Sequence, residues 1–214
     1  MEKTHPILES LGNFLRNFWD LMVLNWLWLL CSLPLLTLGP ATCAMLSVTL
    51  KLARGEPVYA AKDFFRSFRE NFKPAFLLGL LCIALLVIAA GDIWFALQQS
   101  GLMQSLYLVI GILVASVLLT VFSYGFALQA MFENPLKTQL LNACKLAFLS
   151  PGKTVALWLI WMFPVLVLLA LPLNVVWPLG FLYVLVGASA PAFLNSRILR
   201  DIFDRVNGGP VIPA

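Results

Sequence analysis

Asp92 stands in the run Gly91-Asp92-Ile93-Trp94, an acid set far along an apolar stretch of this sequence. A carboxyl group at that kind of position is costly in lipid, and such groups often serve as proton relays or cation sites. Asp92 lies roughly 18 residues from the inner end of its stretch, next to Trp94, so its depth argues for a place at the outer interface. Asn25 and Asp20 fall in the first third of an earlier apolar run. An asparagine there can hydrogen-bond between helices, a contact worth about 0.6 kcal/mol on average in membranes, which makes packing a simpler role than ligand binding.

The usual reagents of catalysis are missing. His5 is the single histidine and sits in the N-terminal segment. No paired carboxylates, metal-ligand cluster, glycine-rich phosphate loop or nucleophile triad is present, so no catalytic residue, metal or cofactor is assigned. Cys31, Cys43, Cys82 and Cys144 form no close pair and read as small buried hydrophobes rather than a disulfide framework.

A third group of residues is surface chemistry. Over residues 59–73, Ala61, Phe64, Phe65, Phe68 and Phe72 recur at helical spacing, while Lys62, Asp63, Arg66, Arg69, Glu70 and Lys73 take the other side. That pattern suits an amphipathic helix in the headgroup plane. Phe64, Phe68, Arg66, Arg69, Asn71 and Lys73 are therefore candidate contacts to a partner, beside Asn25 and Asp92.

The elements that must position these residues are membrane helices. Hydrophobic residues make up 61% of the chain and charged ones 11%, too few to clothe a water-soluble exterior, where about 25% charge is usual. The expected fold is an all-α polytopic bundle of five to six transmembrane segments in one membrane domain. It comprises three hairpins at 18–54, 75–131 and 154–195, amphipathic helices at 59–73 and 136–149, and a polar tail at 196–214.

Residues 18–37 supply about 30 Å of helix, one hydrocarbon thickness. Pro34 is a kink candidate, and Leu38-Gly39-Pro40 is a turn signal. Residues 41–53 give only roughly 20–24 Å, marginal for a full crossing. Later segments cover 75–97, 102–131, 154–171 and 175–194. Each of the first two hairpins is followed by a break (Glu56-Pro57, Asn134-Pro135), an amphipathic stretch and a lysine, a weak internal repeat. The first apolar core is too long for a signal peptide and is expected to be retained.

With three hairpins and both termini inside, all fourteen lysines and arginines fall on the cytoplasmic side, as the positive-inside rule requires. The net charge of +4 thus reads as membrane topology, and no zinc-finger or RNP motif suggests nucleic acid. Trp19, Trp94 and Trp177 fit interfacial anchors. Gly111-x-x-x-Ala115, with Ser116, Thr120 and Ser123, offers a small-residue face for packing or dimerisation.

Leu24-Asn25-x-x-Trp28-Leu29-Leu30-Cys31-Ser32-Leu33-Pro34, then Thr37-x-Gly39-x-Ala41, Val48-Thr49-Leu50-Lys51-Leu52 and Phe64-x-x-x-Phe68-x-x-Asn71-Phe72-Lys73, together resemble the YesL family of bacterial membrane proteins, also called the domain of unknown function 624 family. The resemblance is strong over residues 14–75, and the Phe193-Leu194-Asn195 ending also fits. It implies a small integral protein of the plasma membrane, often encoded among carbohydrate-uptake and glycan-degradation functions in Gram-positive bacteria. The expectation is then an accessory component associated with carbohydrate uptake, with a carbohydrate ABC transporter or another cytoplasmic-face protein as partner and homo-oligomerisation open. The alternative is a small stand-alone transporter or channel. A membrane-embedded enzyme is weighed last.

Overall fold

A segment in hydrocarbon must satisfy its own backbone, and a helix does so without help from neighbours. A computed structural model describes residues 6–132 and 134–207, and the regular structure among them is helical throughout. In chain order the α-helices are α1 (Pro6–Ser32), α2 (Leu38–Ala53), α3 (Ala60–Glu70), α4 (Phe72–Ala96), α5 (Leu102–Thr120), α6 (Phe126–Met131), α7 (Leu136–Leu149), α8 (Pro151–Ala170), α9 (Leu173–Val186) and α10 (Ser189–Asn207). Three stretches are long and apolar enough to cross a membrane: Leu35–Ala53, Phe72–Ala96 and Leu102–Met131. Two bent pairs, α7 with α8 and α9 with α10, bring the number to five if each pair is one span.

The first break comes earlier than the turn signal suggests. α1 stops at Ser32, Pro34 is extended (φ −75°, ψ 106°), and one 3₁₀ turn spans Leu35–Thr37. Pro34 lacks the N–H that would continue the ladder and disfavours helix in the residue before it. The Thr37 hydroxyl donates to the carbonyls of Cys31 (2.6 Å) and Pro34 (2.7 Å), occupying acceptors near the break. Gly39 and Pro40 lie instead in the first turn of α2, where a missing N–H leaves no bond unmade.

α2, expected as a marginal span, is the buried centre of the bundle. Residues 39–46 and 48–50 are all buried, and α1, α3, α4, α6 and α10 pack around them. Small side chains make this possible. A Cβ on Gly39 would run into the Ala75 carbonyl and stand 3.0 Å from the Gly79 Cα, so α2 and α4 cross with glycine against glycine. Close backbone approach of this kind is a main source of helix association in lipid. The Trp28 indole N–H donates to the Thr42 hydroxyl (3.1 Å), fastening α1 to α2.

The polar tail expected from residue 196 is helical as far as Asn207, and residues 208–214 lie outside the described set. α10 presents Leu199, Ile202 and Phe203 to the core. The Thr49 and Ser196 hydroxyls meet at 2.8 Å, and the Arg200 guanidinium donates to the Ala53 carbonyl at 2.6 Å. A cation there serves the exposed carbonyls at the end of α2. The charge of this segment hid an amphipathic helix that needs α2 to show its period.

The 102–131 stretch is one span with a π turn at Val121–Gly125 between α5 and α6. A π turn displaces a carbonyl from the ordinary ladder. The buried Gln139 amide of α7 donates to the Gly125 carbonyl at 2.7 Å. The Tyr124 hydroxyl meets that of Thr154 on α8 at 2.9 Å. α7 and α8 then turn through 109° at Ser150.

Candidate functional site

The last apolar segment, expected as one span over 175–194, is broken at Gly187, and its two halves meet at 51°. A break frees carbonyls at the end of one helix and N–H groups at the start of the next. Inside a membrane such backbone survives only when protein or water satisfies it. Asn25 does this. Its amide nitrogen donates to the carbonyls of Val184 (2.8 Å) and Tyr183 (3.2 Å). Its oxygen accepts from the N–H groups of Ala188 (2.9 Å) and Ser189 (3.2 Å). The side chain is fully buried, and asparagine is suited to the place because its amide carries donors and an acceptor together.

Elsewhere on the bundle, α3 packs against α2. Asp63 is buried, accepts from the Tyr59 backbone N–H (3.0 Å), and pairs with Lys51 (3.2 Å) and Arg66 (2.7 Å). Burial pushes this carboxyl up, but the Tyr59 N–H, the hydrogen bond and charge of Lys51 and the charge of Arg66 outweigh it. The carboxyl is held below the usual carboxylate range. Phe64 is fully buried and stacks on Phe68 (6.1 Å, 17°), which meets Phe72 edge-on (5.5 Å, 69°). Phe64 and the half-buried Phe68 thus rest against the bundle, where α3 packs on α1 and α2, whereas Ala61, Phe65 and Phe72 of the same apolar pattern stay exposed.

What α3 leaves outside is charged. Lys62, Arg66, Arg69 and Lys73 are exposed, with Phe65 and Phe72 among them. Asn71 joins α3 to α4. Its amide donates to the Ser67 carbonyl (3.2 Å), and its oxygen accepts from Gln129 of α6 (3.1 Å). Glu70, Asn71, Gln129 and Asn134 border a cavity of about 460 Å³, and the enclosed Gln129 Oε1 has no partner among the described residues. A second cavity of about 320 Å³, bordered by Trp28, Cys82, Phe122, Trp161 and Tyr183, is apolar.

The eight residues singled out from sequence therefore separate. Phe64, Arg66, Phe68, Arg69, Asn71 and Lys73 share α3 and its junction with α4. Asn25 clamps the distant α9–α10 break. Asp92 stands four positions before the end of α4 and turns towards α5, where its Cβ would lie 3.2 Å from a side chain added at Gly111. Its enclosed Oδ2 has no described partner. Gly111 is accordingly filled by α4 of the same chain. Trp19 and Trp94 are exposed, the Trp177 side chain lies outside the described residues, as does His5, and Cys144 is exposed rather than buried.

Sequence reasoning missed Asp63 as a hub, and it missed Gln129 and Gln139. Asp63 carried one signal, its position three before Arg66 on a helix. The glutamines carried none, because their partners are a junction and a π turn. Among the described residues no group of three His, Cys, Asp or Glu is placed to hold a metal.

With this geometry in view, comparison with known proteins gives a consistent answer. The family described as "Protein of unknown function, DUF624" matches residues 21–93. The chain is also similar to the uncharacterized protein YesL of Bacillus subtilis (strain 168), with 29% identity over 157 residues, covering 70% of this chain and 72% of that one. The chain thus resembles the DUF624 family over its first four helices. No solved structure matches it. The DUF624 match runs from Leu21 in α1 to Ile93 in α4. It thus encloses Asn25, the Gly39–Gly79 crossing, the Asp63 hub and Asp92, whereas the α9–α10 break that Asn25 fills lies outside it.

Proposed function

We propose that the protein is a non-catalytic accessory component of the plasma membrane, docked through the exposed side of α3 to a partner at the cytoplasmic face. This reading takes α1 as a sixth crossing beside the five stretches above, so both termini are cytoplasmic and the cations fall on the side that membrane proteins favour for them. The observation that carries it is the division of labour on α3. One side is fixed to the bundle by Phe64 and the Asp63–Lys51 pair, and the other holds Lys62, Arg66 and Arg69 outward beside Phe65 and Glu70, with Lys73 following on the first turn of α4. A rigidly mounted stripe of cations with aromatic residues between them suits an acidic protein surface. The partner class follows from the family resemblance: a membrane component of carbohydrate uptake, such as an ABC transporter.

The experiment is affinity purification of the full-length protein from cross-linked native membranes, followed by mass spectrometry. Recovery of a transporter component with the wild type, and its loss with a Lys62→Glu, Arg69→Glu double variant, is the expected result. Recovery of the protein with no transporter component at all would sink the reading.

The bent α9–α10 pair favours one alternative, a stand-alone carrier. Carriers use broken helices, but they leave the half-helix ends free for cargo. Here Asn25 occupies both ends, which weighs against that use. Flux of sugars or ions into proteoliposomes, compared with Asp92→Ala and Asn25→Ala variants, decides between the two.

A further inference from the structure

We propose that the groove enclosed by α5, α7 and α8 binds one anionic glycerophospholipid, with a lipid ester carbonyl accepting the Trp158 indole N–H. The groove has a volume of about 390 Å³ and is walled by apolar groups, among them Val117, Phe148 and Val155. Trp158 borders it, and its enclosed Nε1 has no partner among the described residues. The hydroxyls along the groove are already engaged. Ser116 donates to the Leu113 carbonyl (2.7 Å), Thr120 to that of Ser116 (2.8 Å), and Thr154 meets Tyr124 (2.9 Å). The indole N–H is the donor left over, and an unpaired donor in hydrocarbon costs several kcal/mol.

Depth and charge identify what would pair with it. Lys153 stands in the first turn of α8, and Trp158 follows about 7–8 Å further along the helix. The interfacial layer of one leaflet is about 5–8 Å thick, so a lysine among the headgroups puts the indole level with the glycerol esters. Those carbonyls are the acceptors a bilayer offers at that level. Above it, α7 turns into α8 through 109°, so the positive end of the α8 dipole and Lys153 face the headgroup layer, with the exposed Lys145 on the last turns of α7. This is a setting for a phosphate. Phe148, 87% exposed at the elbow, extends the apolar wall along which a chain would lie.

The test is native mass spectrometry of the full-length protein, delipidated in detergent and titrated with phosphatidylglycerol. The wild type should take up a first lipid distinctly more tightly than later ones, and more tightly than it takes phosphatidylcholine. Trp158→Phe keeps the ring and removes the N–H, and should weaken the first step about fivefold, the equivalent of one hydrogen bond. Cys144→Phe fills the groove from the exposed side of α7 and should abolish the first step. A first lipid bound as tightly by Trp158→Phe as by the wild type overturns the assignment. Should that variant fail to fold, unchanged binding by Cys144→Phe does the same, as does a wild type whose first and later lipids are indistinguishable.

Discussion

The Asn25 amide donates to the Val184 carbonyl at 2.8 Å across 159 positions of sequence, placing a polar side chain from the first helix inside the break of the last hairpin. The pair links α1 to α9, and together with the Ala188 contact it satisfies backbone groups on both sides of the α9–α10 bend.

Replacing Asn25 with leucine removes the clamp and leaves Val184 O and Ala188 N facing an apolar side chain. Unpartnered buried groups cost about 1–3 kcal/mol each. Thermal unfolding in detergent should show a Tm lower by on the order of 10 °C. A Tm within one or two degrees of wild type would mean that water or a rearranged break replaces the amide.

The Gly39–Gly79 crossing admits no side chain. Gly39→Ala drives a methyl into the Ala75 carbonyl and the Gly79 backbone, and backbone cannot rotate away as a side chain can. The expected loss is about 1–3 kcal/mol, read as a lower Tm and a lower yield of monodisperse protein. Ala substitution at Gly152, which has nothing within 4 Å, is the matched control.

Asp63 makes stability depend on pH in a definite direction. Its carboxyl is held below the ordinary range in the fold, so its contribution is complete above the unfolded-state value of about 3.9 and is lost as pH falls through the lower folded value. Asp63→Asn should melt below wild type at pH 7, and the gap should hold down to about pH 4 and narrow as the buffer is made more acidic than that. A gap that widens on acidification contradicts the ion-paired geometry.

Gln139 answers the π turn. Gln139→Met keeps the volume but leaves the Gly125 carbonyl without its donor, at a cost of about 1–3 kcal/mol. Hydrogen exchange in α7 and around Gly125 should accelerate before the rest of the bundle does; uniform exchange would show that the amide does not hold this junction.

Helix boundaries were largely legible in the chain because their signals are local. Glu56-Pro57, Asn134-Pro135 and Pro172 each end or separate helices as their backbone chemistry demands, and α7 falls on residues 136–149 as the apolar spacing indicates. The membrane character was equally plain, since a chain with so few charges needs lipid to face its apolar exterior. Three things were decided only in three dimensions. α2 reads as a short apolar span and proves also to be the core, because its glycine, alanine and threonine residues matter only once α4 and α10 close on them. The charged stretch after Asn195 looked like a tail and is a helix, because Leu199 and Phe203 gain a period only against a partner. Asn25 looked like generic interhelical glue and is the clamp of a break, because the carbonyls and N–H groups it satisfies come from the far end of the chain. A sequence carries the propensity of each segment, but the satisfaction of a broken backbone in oil is a property of the assembled bundle.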